Sequence, residues 1–341
     1  METIAEIGKN FVSTKREEPL GMLLNKAKEL IYKAKESGCD TAKFQVHNYE
    51  DEIHPEAKLI SPHFTEDRYK WVKRNTYPEE FWWELKKFCL QIEIRFLATP
   101  MSRGAAELLH EIGVDRWKIG SGDILDFVML DYIRETGHPV ILSSGMSSLE
   151  ELRLAYDYLR EKIEPWDISI LHCISSYPCR MEDLNLATIP FLKKQFPEAK
   201  IGFSDHSLGI EGALMAVSLG TEIIEKHLTL DRNAFGPDHK VSLVPEEMTR
   251  LVYRIRNDSL MKPTNKVLGV ETKHLHKSEE AFRPIFHKGL YAAYDLEKDK
   301  MFEPDMFYAM RPRIPLALPS REYPNLLGRF TNGSYKQYEP I

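Results

Sequence analysis

Short apolar segments alternate with longer amphipathic segments along most of the chain. The short ones are rich in β-branched and aromatic residues and predict strands: "TIAEIG", "TAKFQV", "IRFLATP", "RWKIGS", "PVILSSG", "ISILHCIS", "KIGFSDH" and "EIIEKHLTL". The longer ones, such as "LLNKAKELIYKAKESG" and "SSLEELRLAYDYLREK", have the apolar spacing of helices that pack on a sheet. In the second helix, Ser147–Glu150 predicts a capping box. Repeated strand–helix alternation predicts a parallel sheet.

The number of units predicts the fold class. Eight strand–helix units in about 260 residues have the size of a (β/α)8 TIM barrel, which we predict for residues 1–261. The alternative is an open, doubly wound sheet, which more often carries a glycine-rich turn after its first strand, and "EIGKNF" is not such a turn. Residues 262–280 are polar and predict a linker, and 281–341 predict a small mixed domain that must dock on something. The long connection at 47–77 predicts a lid or binding loop.

Composition narrows the classes of partner. The chain has 341 residues, of which 43% are hydrophobic, and its net charge of −6 argues against nucleic acid as the main partner. We expect no membrane partner, because there is no apolar run of about eighteen residues. The start "METIAEIGKN" lacks the features of a secretory signal. Four cysteines without a common metal or disulfide spacing favour reduced thiols in a cytoplasmic protein.

Every predicted strand ends in polar or charged residues. The carboxyl ends of the strands carry the chemistry in a (β/α)8 barrel, and unpaired polar groups in a core would cost several kcal/mol. Lysines, hydroxyls and the backbone amides of "GSGD" at 120–123 suit a phosphate and a carboxylate. Taken alone, Lys118 would be a surface lysine and "GSGD" a plain turn; eight strand ends together predict a site. Its residues are Glu6, Lys43, Gln45, Thr99, Lys118, Ser121, Ser143, Ser144, Ser175, Tyr177, Ser204, His206 and His227.

Two neighbouring strands end in histidines. His206 and His227 could approach one point, and two imidazoles with open positions suit Mn²⁺, Co²⁺, Fe²⁺ or Zn²⁺. A metal beside an anion pocket predicts Lewis-acid polarisation of a carbonyl. His47, His172 and His239 are rival ligands, and of these we expect His172 to be a hydrogen-bonded barrel histidine.

Seven motifs, taken in order, resemble a known family: "IAEIG.N", "AKFQ", "KIGSGD", "ILSSGMSS", "LHC.S.YP", "GFSDHSLG" and "EKHLTLD....GPDH". This is the sialic acid (N-acetylneuraminate) synthase family, whose members condense phosphoenolpyruvate with an N-acylated hexosamine such as N-acetylmannosamine to nine-carbon 2-keto (nonulosonic) acids. The tail "GLYAAYDLEKDKMFEPDMFYAMRP" is similar to the family's small antifreeze-like (SAF) domain. The resemblance implies a transferase of carbohydrate biosynthesis.

The resemblance also assigns roles to residues. It implies a divalent metal on His206 and His227, with Mn²⁺ as first choice and Mg²⁺ or Co²⁺ as alternatives. The implied metal polarises the sugar's open-chain aldehyde for attack by the enol carbon of phosphoenolpyruvate. Asp123 then deprotonates the water that adds to C2, and phosphate leaves by C–O cleavage. The implied phosphoenolpyruvate contacts are Lys43, Thr99, Lys118, Ser121, Ser143, Ser175 and Ser204. The implied sugar contacts are Gln45, Asp238, and the catalytic residues Glu6 and Tyr177, with Arg311 supplied by the partner's small domain in a domain-swapped homodimer.

Departures from the family pattern leave the acceptor sugar open. Asp123 and Ser175 look like the animal branch, whose sugar is phosphorylated, whereas Arg311-Pro312 resembles the bacterial branch. Phe64 stands where some bacterial members have an Asn that contacts the sugar, and an apolar group there suits a deoxy sugar of the legionaminic or pseudaminic type. A shorter-sugar keto-acid synthase and a catalytically silent sugar-binding protein are further alternatives. The tail argues against the former, and the pair of histidines with Lys118 against the latter.

Overall fold

Eight parallel strands form the centre of the computed structural model, which describes residues 1–57, 60–61 and 64–341. In chain order they are β1 (Glu2–Gly8), β2 (Thr41–Val46), β5 (Arg95–Pro100), β6 (Trp117–Ile119), β7 (Val140–Ser143), β8 (Ile168–Cys173), β9 (Lys200–Asp205) and β10 (Ile223–His227). The hydrogen-bonded order is β5-β2-β1-β10-β9-β8-β7-β6, and β5 contacts β6 to close the sheet. The predicted (β/α)8 barrel is confirmed.

Eight helices follow the barrel strands. They are α1 (Leu20–Glu36), α4 (Glu79–Gln91), α5 (Arg103–Glu111), α6 (Phe127–Glu135), α7 (Leu149–Leu159), α8 (Thr188–Gln195), α9 (Glu211–Ser218) and α10 (Pro245–Arg256). The capping box of α7 is formed by Ser148 and Glu151, one residue later than predicted, because Ser147 instead donates its hydroxyl to the carbonyl of Ser144. No helix within the described residues is long and apolar enough to cross a lipid bilayer.

The barrel interior changes from apolar to polar along its axis. Near the amino ends of the strands, one layer consists of Ile4, Leu97, Ile141, Leu171 and Ile223. Gly202 completes this layer, since a Cβ there would meet Leu171 Cδ2 at 2.4 Å and the carbonyl oxygen of Ile223 at 2.6 Å. Side chains alternate between the two faces of a strand, so the inward residues two positions later lie nearer the carboxyl ends. They are polar, and they form the lower part of the candidate site.

The connection at 47–77 is structured in its described parts. It contains α2 (Tyr49–Glu52), the antiparallel pair β3 (Ile60–Ser61) and β4 (Phe64–Asp67), and α3 (Arg68–Arg74). The side chain of Phe64 lies outside the described part of the chain. Arg68 and Trp71 line the cavity at the carboxyl ends of the strands, as expected for a binding loop.

Residues 262–280, which predict a linker, are docked on the barrel. They contain α11 (Asn265–Leu268) and α12 (Lys277–Glu280), and α13 (Arg283–Phe286) follows. The buried Lys273 donates to the carbonyl of Ser147 at 2.6 Å. The buried carboxylate of Glu279 accepts the backbone N–H groups of Met146 at 2.8 Å and Ser175 at 2.7 Å. This segment therefore contacts the loops that follow β7 and β8.

The remaining residues pack beside α2 and α6. They include the antiparallel strands β11 (Gly289–Ala292) and β12 (Phe307–Met310), and α14 (Tyr323–Leu326). Backbone hydrogen bonds of 3.0 Å join Arg311 to Glu52 and His54. In this single chain Arg311 thus reaches its own barrel, whereas the resemblance predicts the barrel of a partner. The reason is that the segment before β11 runs along the same barrel; exchange of small domains between two subunits stays a prediction.

Candidate active site

A cavity of about 200 Å³ opens at the carboxyl ends of the barrel strands. All the predicted site residues line it except three: Lys43, which is buried beneath it, Ser144, which is also buried, and Arg311, which is buried behind Asp123. The predicted residues that line it are Glu6, Gln45, Thr99, Lys118, Ser121, Asp123, Ser143, Ser175, Tyr177, Ser204, His206, His227 and Asp238. The structure brings this set together, while the role of each residue stays a prediction.

The floor of the cavity, formed by Lys43, Thr99, Lys118, Ser143, Ser204 and Glu225, contains a buried charge network. Lys43 Nζ lies 2.7 Å from Glu225 and 3.3 Å from Glu6. Ser204 donates to Glu225 at 2.9 Å. Burial opposes ionisation of Glu225, but the charges of Lys118 and Lys43 hold its pKa below the usual range. The charge of Lys43 is therefore already balanced by carboxylates.

Lys118 differs from Lys43 although both lysines are buried. Its Nζ donates to Ser143 Oγ at 2.5 Å and to the carbonyl of Ile119 at 3.0 Å. Within the described residues it forms no ion pair. Burial lowers the pKa of Lys118 to about 8. A buried ammonium without an ion-paired carboxylate favours the binding of an anion. The buried hydroxyl of Thr99 has no hydrogen-bond partner among the described residues and could donate to the same anion.

His206 and His227 face the cavity together, with ring centroids 5.4 Å apart. His206 Nδ1 lies 2.9 Å from the carbonyl oxygen of Ile174, which can only accept, so Nδ1 carries a hydrogen. Burial opposes protonation of His206, but Cys173 and this carbonyl raise its pKa to about 9, so a metal at Nε2 would have to displace a proton. His227 Nδ1 is buried and unpartnered among the described residues. Burial lowers the pKa of His227 well below its usual value, which favours the neutral form that a ligand needs.

These two imidazoles fit a metal with several open positions. The described residues contain no group of three or more His, Cys, Asp or Glu side chains arranged around one point. Water and substrate oxygens would therefore have to complete the coordination. Two of the three rivals are hydrogen-bonded outside the cavity: His172 Nε2 lies 2.7 Å from the carbonyl of Leu184, and His239 Nδ1 lies 2.7 Å from Thr229 Oγ1.

Asp123 has one engaged and one free oxygen. It ends a single 3₁₀ turn, Ser121–Asp123, directly after β6. Its Oδ1 contacts the guanidinium of Arg311 and lies 2.9 Å from Lys288 Nζ. Its Oδ2 is buried without a hydrogen-bond partner among the described residues. The cations fix the carboxylate and leave one oxygen available for proton transfer.

Two other carboxyl groups of the cavity have pKa values that are raised towards neutral pH. Burial raises the pKa of Glu6 to about 7, although Lys43 opposes this shift, and Gln45 donates to Glu6 at 2.9 Å. Burial also raises the pKa of Asp238 to about 6. Both groups can therefore donate or accept hydrogen bonds to the hydroxyls of a sugar.

The rim of the cavity is formed by His47, Arg68 and Phe286, with Glu52, Lys288 and Arg311 buried behind them. Of these six residues, the sequence interpretation named only His47 and Arg311. The guanidinium of Arg68 lies 4.6 Å from the ring centroid of Phe286. Lys288 is buried and pairs with Asp123 and Asp126. These residues come from the 47–77 connection and from residues after 280, where no regular period places a side chain. Glu225, in contrast, had a signal, because it precedes His227 by two positions on the same face of β10.

Comparisons with known proteins give the family. The model of the NeuB family matches residues 30–266. The chain is 34% identical over 324 residues to N,N′-diacetyllegionaminic acid synthase of Campylobacter jejuni subsp. jejuni serotype O:2, covering 93% of this chain and 94% of that protein. It is 33% identical over 330 residues to N-acetylneuraminate-9-phosphate synthase of Homo sapiens, covering 96% and 87%. The crystal structure of spore coat polysaccharide biosynthesis protein SpsE of Bacillus subtilis gives a TM-score of 0.81 at 29% identity, covering 100% and 93%. The chain belongs to the NeuB family.

Proposed function

We propose that the protein is a transferase that condenses phosphoenolpyruvate with an N-acylated hexosamine to a nonulosonic acid and releases phosphate by C–O cleavage. The observation that carries this proposal is the contrast on the floor of the cavity. Lys43 forms ion pairs with two carboxylates, whereas Lys118 donates to Ser143 Oγ and forms no ion pair among the described residues. A small molecule with both a carboxylate and a phosphate matches a buried ammonium that lies beside hydroxyl donors and has no ion pair among the described residues.

The residues of the chain divide the work between the two substrates. Phosphoenolpyruvate is held at the floor by one lysine and five hydroxyl residues: Lys118, Thr99, Ser121, Ser143, Ser175 and Ser204. Glu6, Gln45, Tyr177 and Asp238 hold the sugar above it, with Glu6 and Tyr177 close to the reacting atoms. Asp123 accepts a proton from the water that adds to C2, using its free Oδ2, while Arg311 and Lys288 keep its other oxygen fixed.

We assign a divalent metal, Mn²⁺ first and Mg²⁺ or Co²⁺ as alternatives, to His206 and His227. A metal bound there would supply Lewis-acid polarisation of a carbonyl oxygen. The support is the geometry of the two imidazoles, one oriented by the carbonyl of Ile174 and one with a free buried nitrogen. We also propose a cytoplasmic homodimer that exchanges small domains, in which the Arg311–Asp123 contact of this structure forms between subunits.

The acceptor is an N-acylated hexosamine, with N-acetylmannosamine as first candidate. The relatives support an acceptor of this class and do not distinguish between its sugars. One relative is named a diacetyllegionaminic acid synthase and another a 9-phosphate synthase, at almost equal identity to this chain. A 2,4-diacetamido-trideoxyhexose and a sugar 6-phosphate are therefore the other candidates.

Phosphate release from phosphoenolpyruvate tests the proposal. Purified protein with Mn²⁺ is mixed with each acceptor, and phosphate and the 2-keto acid are measured together. We expect stoichiometric release with one N-acylhexosamine and none without an acceptor. Release with a shorter aldose phosphate alone would indicate a different keto-acid synthase, and sugar binding without any release would indicate a silent homologue; either result contradicts the proposal.

A further inference from the structure

A buried imidazole–carboxylate pair lies at the rim, apart from the two histidines assigned to the metal. His47 Nδ1 is 2.6 Å from Glu52 Oε2, and both side chains are almost fully buried. His47 directly follows β2 and lines the cavity. Glu52 ends α2, and its second oxygen lies 4.0 Å from Arg311 Nε. The pair therefore has one member facing the substrates and one facing the protein.

The hydrogen bond fixes which nitrogen of His47 is free. Burial opposes ionisation of Glu52, but His47 and Arg311 lower its pKa to about 2, so the carboxylate accepts the hydrogen of Nδ1. Burial lowers the pKa of His47, although Glu52 opposes this shift. The imidazole is then neutral, and no hydrogen bond among the described residues engages Nε2. An unprotonated Nε2 supported by a carboxylate on Nδ1 is the arrangement of a general base.

The position of His47 along β2 decides which substrate it meets. Lys43 lies beneath the cavity, whereas Gln45 and His47 line it, so the three residues alternate on the inward side. Residues two apart on a strand are separated by about 6.5 Å, so Gln45 lies about one such step beyond Lys43, and His47, which follows the strand, lies farther out. Under the proposed function, on which this inference rests, phosphoenolpyruvate occupies the floor and the sugar the outer half. His47 thus faces the sugar.

We propose that His47 is a catalytic base that opens the ring of the acceptor sugar, with Glu52 as its positioning residue. A hexosamine exists mainly as a closed ring, in which the carbonyl carbon needed for condensation is masked. His47 Nε2 takes the proton of the anomeric hydroxyl, the C1–O bond to the ring oxygen breaks, and a C1=O bond forms. The ring oxygen takes a proton from water, and the resulting hydroxide takes the proton back from His47. The step consumes no proton and needs no oxidant or reductant.

Exchange between the two anomers of the sugar tests this step without phosphoenolpyruvate. Two-dimensional exchange NMR on N-acetylmannosamine measures the interconversion rate. The buffer contains Mg²⁺ and is a poor base, so that its own catalysis stays small. We expect the wild type to accelerate exchange at least about tenfold over buffer, and His47→Gln to leave it at the buffer rate. In the phosphate-release assay with both substrates, His47→Gln should lower kcat about 100-fold, the usual size of a general-base contribution. His110→Gln, a surface substitution, should match the wild type in both assays.

A second variant separates chemistry from folding. His47→Ala should regain part of its exchange activity in added imidazole, to an extent that follows the basicity of substituted imidazoles, whereas a merely structural histidine would show no such dependence. Wild-type phosphate release without faster anomer exchange would overturn the inference and leave the proposed function intact. Rapid exchange by His47→Gln would also overturn it. Faster exchange without phosphate release under any acceptor would instead contradict the proposed function.

Discussion

The floor and the rim of the cavity are built in different ways. Floor residues are inward positions of regular strands, and their charges are paired within the barrel, as Lys43 is with Glu225 and Glu6. Rim residues come from the 47–77 connection and the small domain, and they pair across these parts, as Arg311 and Lys288 do with Asp123. The barrel alone therefore preforms the floor, whereas the rim depends on how the other parts dock.

The largest effect should follow removal of a metal ligand. His206→Ala and His227→Ala should each lower kcat about 1,000-fold or more, because polarisation of the carbonyl contributes several kcal/mol. Chelator should abolish phosphate release by the wild type, and Mn²⁺ should restore it. His239→Gln is the matched control, since that histidine is bonded to Thr229 outside the cavity, and it should lose less than about tenfold. Full activity in chelator would contradict the metal assignment.

The next effect compares two carboxylates that share one lysine of the rim. Lys288 Nζ lies 2.9 Å from Asp123 and 2.7 Å from Asp126, but only Asp123 lines the cavity. Asp123→Asn should lower kcat about 100-fold with little change in the KM for phosphoenolpyruvate, as expected for a base. Asp126→Asn should mainly lower the melting temperature, because it removes the buried ion pair with Lys288, while an asparagine oxygen can still cap α6. Equal losses of kcat in both variants would show that docking, and not base chemistry, explains the effect.

Lys118→Ala removes a cation from the floor and should weaken the binding of phosphoenolpyruvate but not of the sugar. One charge-assisted contact contributes about 1.5–3 kcal/mol, so the KM for phosphoenolpyruvate should rise roughly ten- to hundredfold, with little change for the sugar. Burial lowers the pKa of Lys118 to about 8, so in the wild type this KM should also rise as the pH passes 8 and the ammonium is lost. The variant should lack that rise. Initial rates at varied substrate and pH measure both effects, and an unchanged KM would exclude the role.

The smallest effect concerns which barrel the rim belongs to. Mixing inactive His206→Ala with inactive Arg311→Ala under subunit exchange should restore roughly a quarter of wild-type activity if small domains are exchanged. About half of the dimers are then mixed, and each has one intact site of two. The phosphate assay and a tag-based measure of exchange are run together. No recovery despite exchange would mean that Arg311 serves its own barrel, as in the single chain described here.

The contrast between floor and rim explains which parts of the candidate site the sequence could predict. The alternation of strand residues predicted the floor, because a period of two determines which side chains point inward, and Glu225 could have been added by the same rule from His227. The pairing of His47 with Glu52 and of Lys288 with Asp123 could not be predicted, because these contacts join parts of the chain without a common period. The capping box of α7 was displaced by one residue, since Ser147 and Ser148 both fit the pattern and only their hydrogen bonds distinguish them.

The fate of the oxygen atom that joins C2 of phosphoenolpyruvate to phosphorus shows whether phosphate leaves by C–O cleavage. Phosphoenolpyruvate labelled with ¹⁸O at this oxygen is converted with the acceptor that supports phosphate release. Mass spectrometry then measures the ¹⁸O content of both products. Addition of water to C2 followed by C–O cleavage predicts that all the ¹⁸O leaves in phosphate and that the nonulosonic acid takes its new oxygen from water. Label retained in the nonulosonic acid, or phosphate released without that product, would contradict the account.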